Sequence, residues 1–176
     1  MNELRPATAA DGPALVALYR EVFPGEDLVP LVRDLMAEPS GVLSLVVAGD
    51  SRIAGHVAFT HCGIEGSRAP FALLGPLAVA QSERRKGNAR RLIGEGLVRL
   101  SEDGIERAFV LGDPFFYARF GFAPESCIMP PYPLVPEWRA AWQSLRLGDG
   151  EEATGCVCRH RGAVASCGAR DPAPPL

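Results

Sequence analysis

Apolar residues recur at helical spacing twice near the start of the chain. Leu15, Leu18, Tyr19 and Val22 fall on one face of a helix for which Asp11 stands as N-cap, and Pro24-Gly25 ends it. Leu28, Leu31, Val32, Leu35 and Met36 repeat the spacing in a second helix that must stop before Pro39, because the residue ahead of a proline is pushed out of the helical region. A short strand over residues 4–8 precedes both.

From residue 43 the period changes to that of strands. Residues 43–48 and 53–60 are two apolar runs separated by Gly49-Asp50-Ser51-Arg52, which reads as a hairpin turn. Residues 71–79 predict the next strand, with Gly75-Pro76 inside it. Proline lacks the ladder donor and glycine leaves a gap, so a bulge or splay is expected there, exposing backbone groups. Ala89, Leu92, Ile93, Leu97 and Leu100 mark a helix and residues 105–111 a strand, so this strand-helix-strand order implies a parallel crossover.

Asp113-Pro114 supplies an N-cap and a proline at the first helical position, and Gly121 can close a helix over residues 114–120 in the left-handed conformation. Strands over 120–123 and 141–147 follow, with a proline-rich loop over 130–136. Trp138 and Trp142, with Leu134 and Leu145, read as the packed side of a terminal element, a core or dimer contact rather than a stacking platform. The order of elements predicts a mixed α/β fold on a single central mixed sheet with one splayed strand and helices on both faces.

A chain of 176 residues is about one domain, read as residues 1–147, with 148–176 as a C-terminal extension holding one strand near 155–158 and a mobile Pro-rich end. The net charge of -3 leaves no overall positive field for nucleic acid or anionic lipid. The longest apolar stretch, residues 70–80, is too short to cross a bilayer, and the first residues lack a signal-peptide pattern. Cys62, Cys127, Cys156, Cys158 and Cys167 are odd in number and scattered, which suits reduced thiols and a cytoplasmic location. Cys156-x-Cys158-x-His160 with Cys167 offers soft ligands, but not at the usual C-x2-C spacing, so no metal is expected.

Against this acidic background one segment differs. Arg84-Arg85-Lys86-Gly87-Asn88-Ala89-Arg90-Arg91 puts five cations where the strand over 71–79 passes into a helix N-terminus. Orphan N–H groups, the positive end of the helix dipole and a glycine that admits close approach together make a phosphate site. A solvated basic face is the plainer alternative.

Arg84 to Ala89 also resembles the acetyl-coenzyme A loop of the GNAT acetyltransferase superfamily, Q/R-x-x-G-x-G/A, with Ala89 at the second glycine. Gly75-Pro76-Leu77-Ala78-Val79 is similar to that superfamily's strand before the loop, and Tyr117-Ala118-Arg119-Phe120-Gly121-Phe122 to its Y-x-x-x-G-F segment. With Val110-Leu111-Gly112-Asp113-Pro114 between them, the set looks most like the YhbS-like branch.

The resemblance implies a GNAT-like fold and an N-acetyltransferase moving an acetyl group from acetyl-CoA directly to a primary amine, with a non-catalytic acyl-CoA sensor as the alternative. It implies that backbone amides of Arg84, Arg85, Lys86, Gly87, Asn88 and Ala89 hold the pyrophosphate, that Leu77, Ala78 and Val79 pair with the pantetheine arm, and that Tyr117 protonates the departing sulfur. Asp113 adjoins the coenzyme where many relatives carry Asn. Tyr117 could instead simply pack beside Phe115, Phe116 and Phe120. His61 is the candidate base, with His56 and Glu65 near it, a water chain being the alternative; a strand histidine is more often structural. Homodimers are common among such domains.

Overall fold

The computed structural model describes residues 2–38, 40–49, 52–64, 67–150 and 154–159, the last two by backbone alone. Its strands are β1 (Glu3–Pro6), β2 (Val42–Ala48), β3 (Ile53–Ile64), β4 (Phe71–Val79), β5 (Arg107–Leu111), β6 (Ala123–Pro124), β7 (Ile128–Met129), β8 (Trp142–Arg146) and β9 (Gly155–Arg159). The helices are α1 (Gly12–Val22), α2 (Val29–Ala37), α3 (Asn88–Glu102) and α4 (Pro114–Tyr117). The strands form one mixed, mostly antiparallel sheet in the order β1-β2-β3-β4-β5-β8-β6, with β9 on β3 and β7 on β9. Contacts group the chain into two units, one holding the described residues up to Thr60 with Gly75–Gly96, the other His61–Leu74 and those from Leu97 onward.

In the first unit β1, β2 and β3 form an antiparallel meander, with Leu4 opposite Val47 and Val46 opposite His56. Side chains alternate across a sheet, so the two faces take different partners. Val46 shares a core with Leu15, Leu18 and Tyr19 of α1 and Val32 of α2. The opposite face carries Gly55 and Phe59. A Cβ on Gly55 would lie 3.0 Å from Leu92 of α3, and one on Gly96 would run into the Phe59 ring, so α3 packs close through its small residues. Helices thus cover both faces of this unit's strands.

Three local expectations are adjusted. Leu31 turns away from the core of α2 and is exposed. Asp11 holds the expected N-cap position of α1 but makes no cap bond through its side chain; it also ends a 3-10 turn, Ala9–Asp11, where its carboxylate receives Thr8 N at 2.7 Å, Thr8 Oγ1 at 2.9 Å and both Arg5 amino groups at 2.8 Å. Arg5 reaches it from β1, a partner the local pattern does not reveal. The helix expected over 114–120 is α4 followed by a separate 3-10 turn, Ala118–Phe120, closed by Gly121 at φ +90°.

In the second unit β4 and β5 pair in parallel from Phe71 opposite Arg107 to Leu74 opposite Val110. The ladder ends there, at Gly75 (φ +149°) and Pro76, while β4 itself runs on to Val79. β8 lies antiparallel between β5 and β6. Phe109 stacks on Trp142 with ring centroids 5.4 Å apart, and Trp142 Nε1 donates to Ile128 O at 2.7 Å, so this tryptophan is core. Trp138 is half-buried in the 3-10 turn Pro136–Ala141. The late strand expected near 155–158 is β9, on β3 and β7; the mobile end expected for the tail lies outside the described residues.

Candidate functional site

The phosphate-loop candidate lies wholly in the first unit. Ala80 N donates to Ala54 O at 3.0 Å and Glu83 N to Ala80 O at 2.8 Å, turning the chain sharply after β4. Arg85 then adopts φ +62° and Gly87 φ +82°. Left-handed residues so close together, ahead of a right-handed helix, turn successive N–H groups toward one side. The first helical bond of α3 runs from Arg91 N to Gly87 O, 3.0 Å, so the amides of Asn88, Ala89 and Arg90 precede it, where helix geometry offers no partner. Asn88 is 4% exposed and ties the helix start to the turn through Nδ2 to Glu83 O, 3.1 Å.

Arg84, Arg85, Lys86, Arg90 and Arg91 are all exposed. Arg90 and Arg91 line a shallow depression of about 400 Å³ with Leu4, Gly94 and Glu95. The sequence reading missed Glu83, which the fold makes the counter-charge of the loop. Its carboxylate meets Lys86 Nζ at 3.0 Å, Arg52 at 3.8 Å and Asn2 Nδ2 at 3.3 Å, and Lys86 above all holds its pKa below the usual carboxylate range. Arg52 also bonds Ser82 Oγ, and Gln81 N donates to Glu21 Oε1 at 2.9 Å. The loop thus has its own acidic partners, and its cations are not all equally available to an anion.

Tyr117, Asp113 and His61 belong to the second unit. The Asp113 carboxylate caps α4 by accepting from Phe115 N at 2.9 Å, and Tyr117 N donates to Asp113 O at 3.0 Å. The Tyr117 side chain packs edge-on against Phe116 and Phe122, at 4.9 and 5.8 Å between centroids, and over Gly112, whose Cβ it would exclude. Burial first, and Asp113 second, raise the pKa of its phenol well above the ordinary tyrosine value. Like an ordinary phenol it is protonated at neutral pH, as a proton donor must be, and its burial does not change that. Phe115 points the other way and is 86% exposed.

His61 is half-exposed on β3. His56, in the first unit, is 1% exposed, with Tyr19 Oη at 2.8 Å from Nδ1 and Ser44 Oγ at 2.9 Å from Nε2. Burial pushes its pKa down to about 4, so it is a neutral structural group rather than a base. Glu65 lies outside the described residues, as do His160, Cys167 and the side chain of Cys158. Among the described residues no three His, Cys, Asp or Glu side chains gather to hold a metal, and no helix is long and apolar enough to cross a membrane.

Residues 3–124 match the family model of the acetyltransferase (GNAT) domain. The uncharacterized N-acetyltransferase YhbS of Escherichia coli (strain K12) is 37% identical over 120 residues, 68% of this chain and 72% of that protein. The crystal structure of Escherichia coli YhbS in complex with CoA superimposes with a TM-score of 0.80 at 32% identity, covering 90% of this chain and 89% of that one. A GNAT family acetyltransferase from Brucella melitensis in complex with acetyl-CoA gives a TM-score of 0.74 at 26% identity, over 92% and 97%.

Proposed function

The chain belongs to the GNAT acetyltransferase family, and we propose that it transfers an acetyl group from acetyl-CoA directly to a primary amine. The observation that carries this reading is the turn after β4, with Arg85 and Gly87 left-handed ahead of the first-turn amides of α3, which precede the first helical bond. The relatives that hold CoA and acetyl-CoA in their structures support the choice of donor.

When bound, acetyl-CoA supplies an acyl group already activated as a thioester. The amides of Arg84 to Ala89 bind its pyrophosphate, and the exposed arginines around them offset its outer charge. Leu77, Ala78 and Val79, beyond the end of the β4–β5 ladder, offer main-chain groups to the pantetheine arm, and an N–H there polarises the thioester carbonyl. The amine nitrogen bonds to that carbonyl carbon as the carbon–sulfur bond breaks. Tyr117, a phenol protonated at neutral pH, gives its proton to the departing sulfur. His61 remains the candidate for taking the proton from the amine. Asp113 acts by capping α4, and its carboxylate donates no hydrogen bond to the coenzyme. The free thiols Cys62, Cys127 and Cys156 support a reducing, cytoplasmic setting.

Thermal unfolding with acetyl-CoA, coenzyme A or ATP tests the reading. A ligand at 100 times its Kd adds about 2.7 kcal/mol, which is several degrees in a domain of this size. Both coenzymes should shift Tm, ATP should do so much less, and addition of amines should then release thiol. A shift in Tm with no thiol release for any amine would favour a sensor, and no shift at millimolar acetyl-CoA would refute the assignment.

A further inference from the structure

We propose that Gln143 is a positioning residue for the Tyr117 phenol, acting by clamping the peptide at Gly112 from which α4 departs; this rests on reading Tyr117 as the proton donor. Gln143 lies on β8 with Val110 of β5 on one side and Pro124 of β6 on the other, and is 1% exposed. A place buried between two neighbouring strands is normally taken by an apolar side chain. An amide there must be hydrogen-bonded, and its partners show what it holds.

Its Nε2 donates to Gly112 O at 3.1 Å and to Ala141 O at 3.3 Å, and Gly112 N donates to the same Ala141 carbonyl at 3.0 Å. The β5–β8 ladder ends at Leu111 opposite Trp142, so the Gly112 carbonyl lies one residue past regular pairing. Residues 141–143 thus fix Gly112 through both its N–H and its C=O. The Tyr117 ring packs where a Gly112 side chain would stand, so a displacement of this peptide passes directly to the phenol. From Gly112 to Tyr117 the link is stiff: Asp113 caps Phe115 N and accepts Tyr117 N through its carbonyl, while Phe116 and Phe122 hold the ring edge-on. Proton transfer needs its donor within a few tenths of an ångström, and a misplacement of about 1 Å can cost 10²-fold.

The test uses the full chain bearing 3-fluorotyrosine, whose ¹⁹F signal for Tyr117 is identified by its loss in Tyr117→Phe. Gln143→Met keeps the length and removes both donors. The Tyr117 resonance should shift or split while those of Tyr19 and Tyr132 hold, and acetyl-CoA should still raise Tm. With n-butylamine as probe amine, thiol release should fall about tenfold in kcat at unchanged KM for acetyl-CoA, and add no further loss in the Tyr117→Phe background. An unmoved Tyr117 resonance, or an equal loss in the Tyr117→Phe background, overturns the clamp. Undiminished turnover in Tyr117→Phe overturns the acid role instead, and leaves the resonance test of the clamp intact. If Gln143→Met does not fold, Gln143→Leu, which also lacks both donors, supplies the same test.

Discussion

Acidification should unfold this protein through His56. His56 is hydrogen-bonded at both ring nitrogens, to Tyr19 Oη at 2.8 Å and Ser44 Oγ at 2.9 Å, so in the neutral ring one nitrogen donates and the other accepts. Protonation would make both nitrogens donors and place a charge where the ring is 1% exposed. With a folded pKa of about 4 against about 6.5 unfolded, the gap is about 2.5 units, or about 3 kcal/mol at 1.36 kcal/mol per unit.

The sign follows from proton counting. Between those two values the unfolded chain binds more protons, so the contribution is complete above pH 6.5 and is lost as pH falls toward 4. From pH 7.5 to 4.5 the loss should be about 2 to 3 kcal/mol. At about 2 to 4 °C per kcal/mol this lowers Tm by about 5 to 10 °C. Asp11, Glu83 and Glu125 also have lowered pKa values, and their contributions are lost at still lower pH, below the ordinary carboxylate range. The assay is urea unfolding at both pH values for the wild type and for His56→Gln, whose amide can likewise donate on one side and accept on the other without titrating. The wild-type drop should exceed the variant's by about 2 to 3 kcal/mol. Equal drops in the two proteins would refute the argument.

Tyr117→Phe should lower kcat by about 10²-fold while acetyl-CoA still raises Tm as in the wild type; equal turnover removes the phenol from the mechanism. Gly96→Ala should cost about 1 to 3 kcal/mol in urea unfolding, because its methyl group overlaps the Phe59 ring and that ring is fully buried.

Periodicity carried α1, α3 and β4 well, since each buries one stripe or run against the sheet and 3.6- and 2-residue spacings leave that mark in the sequence. The loop was legible for a similar reason: five cations and a glycine at a strand-to-helix junction are a local pattern. The partners gathered on Glu83 were not, because Asn2 and Arg52 reach it only when distant stretches fold. Asp11 stands at the N-cap of α1 as expected, but its carboxylate is turned to Arg5, on another element, and to Thr8, which the local pattern does not show. β7 and β9 are short, and β7 owes its existence to pairing with β9 across more than twenty residues.

By itself the sequence determined the mixed α/β class, the break at Gly75-Pro76, the phosphate-loop candidate and the placing of Tyr117 on a capped helix start, all of which depend on residue type and near neighbours. Only the tertiary structure decided that His56 is locked and neutral, that the Tyr117 ring is packed between Phe116 and Phe122 over Gly112, and that Gln143 grips Gly112. Burial and hydrogen-bond partnership are properties of contacts between residues far apart in the chain, and no local spacing encodes them.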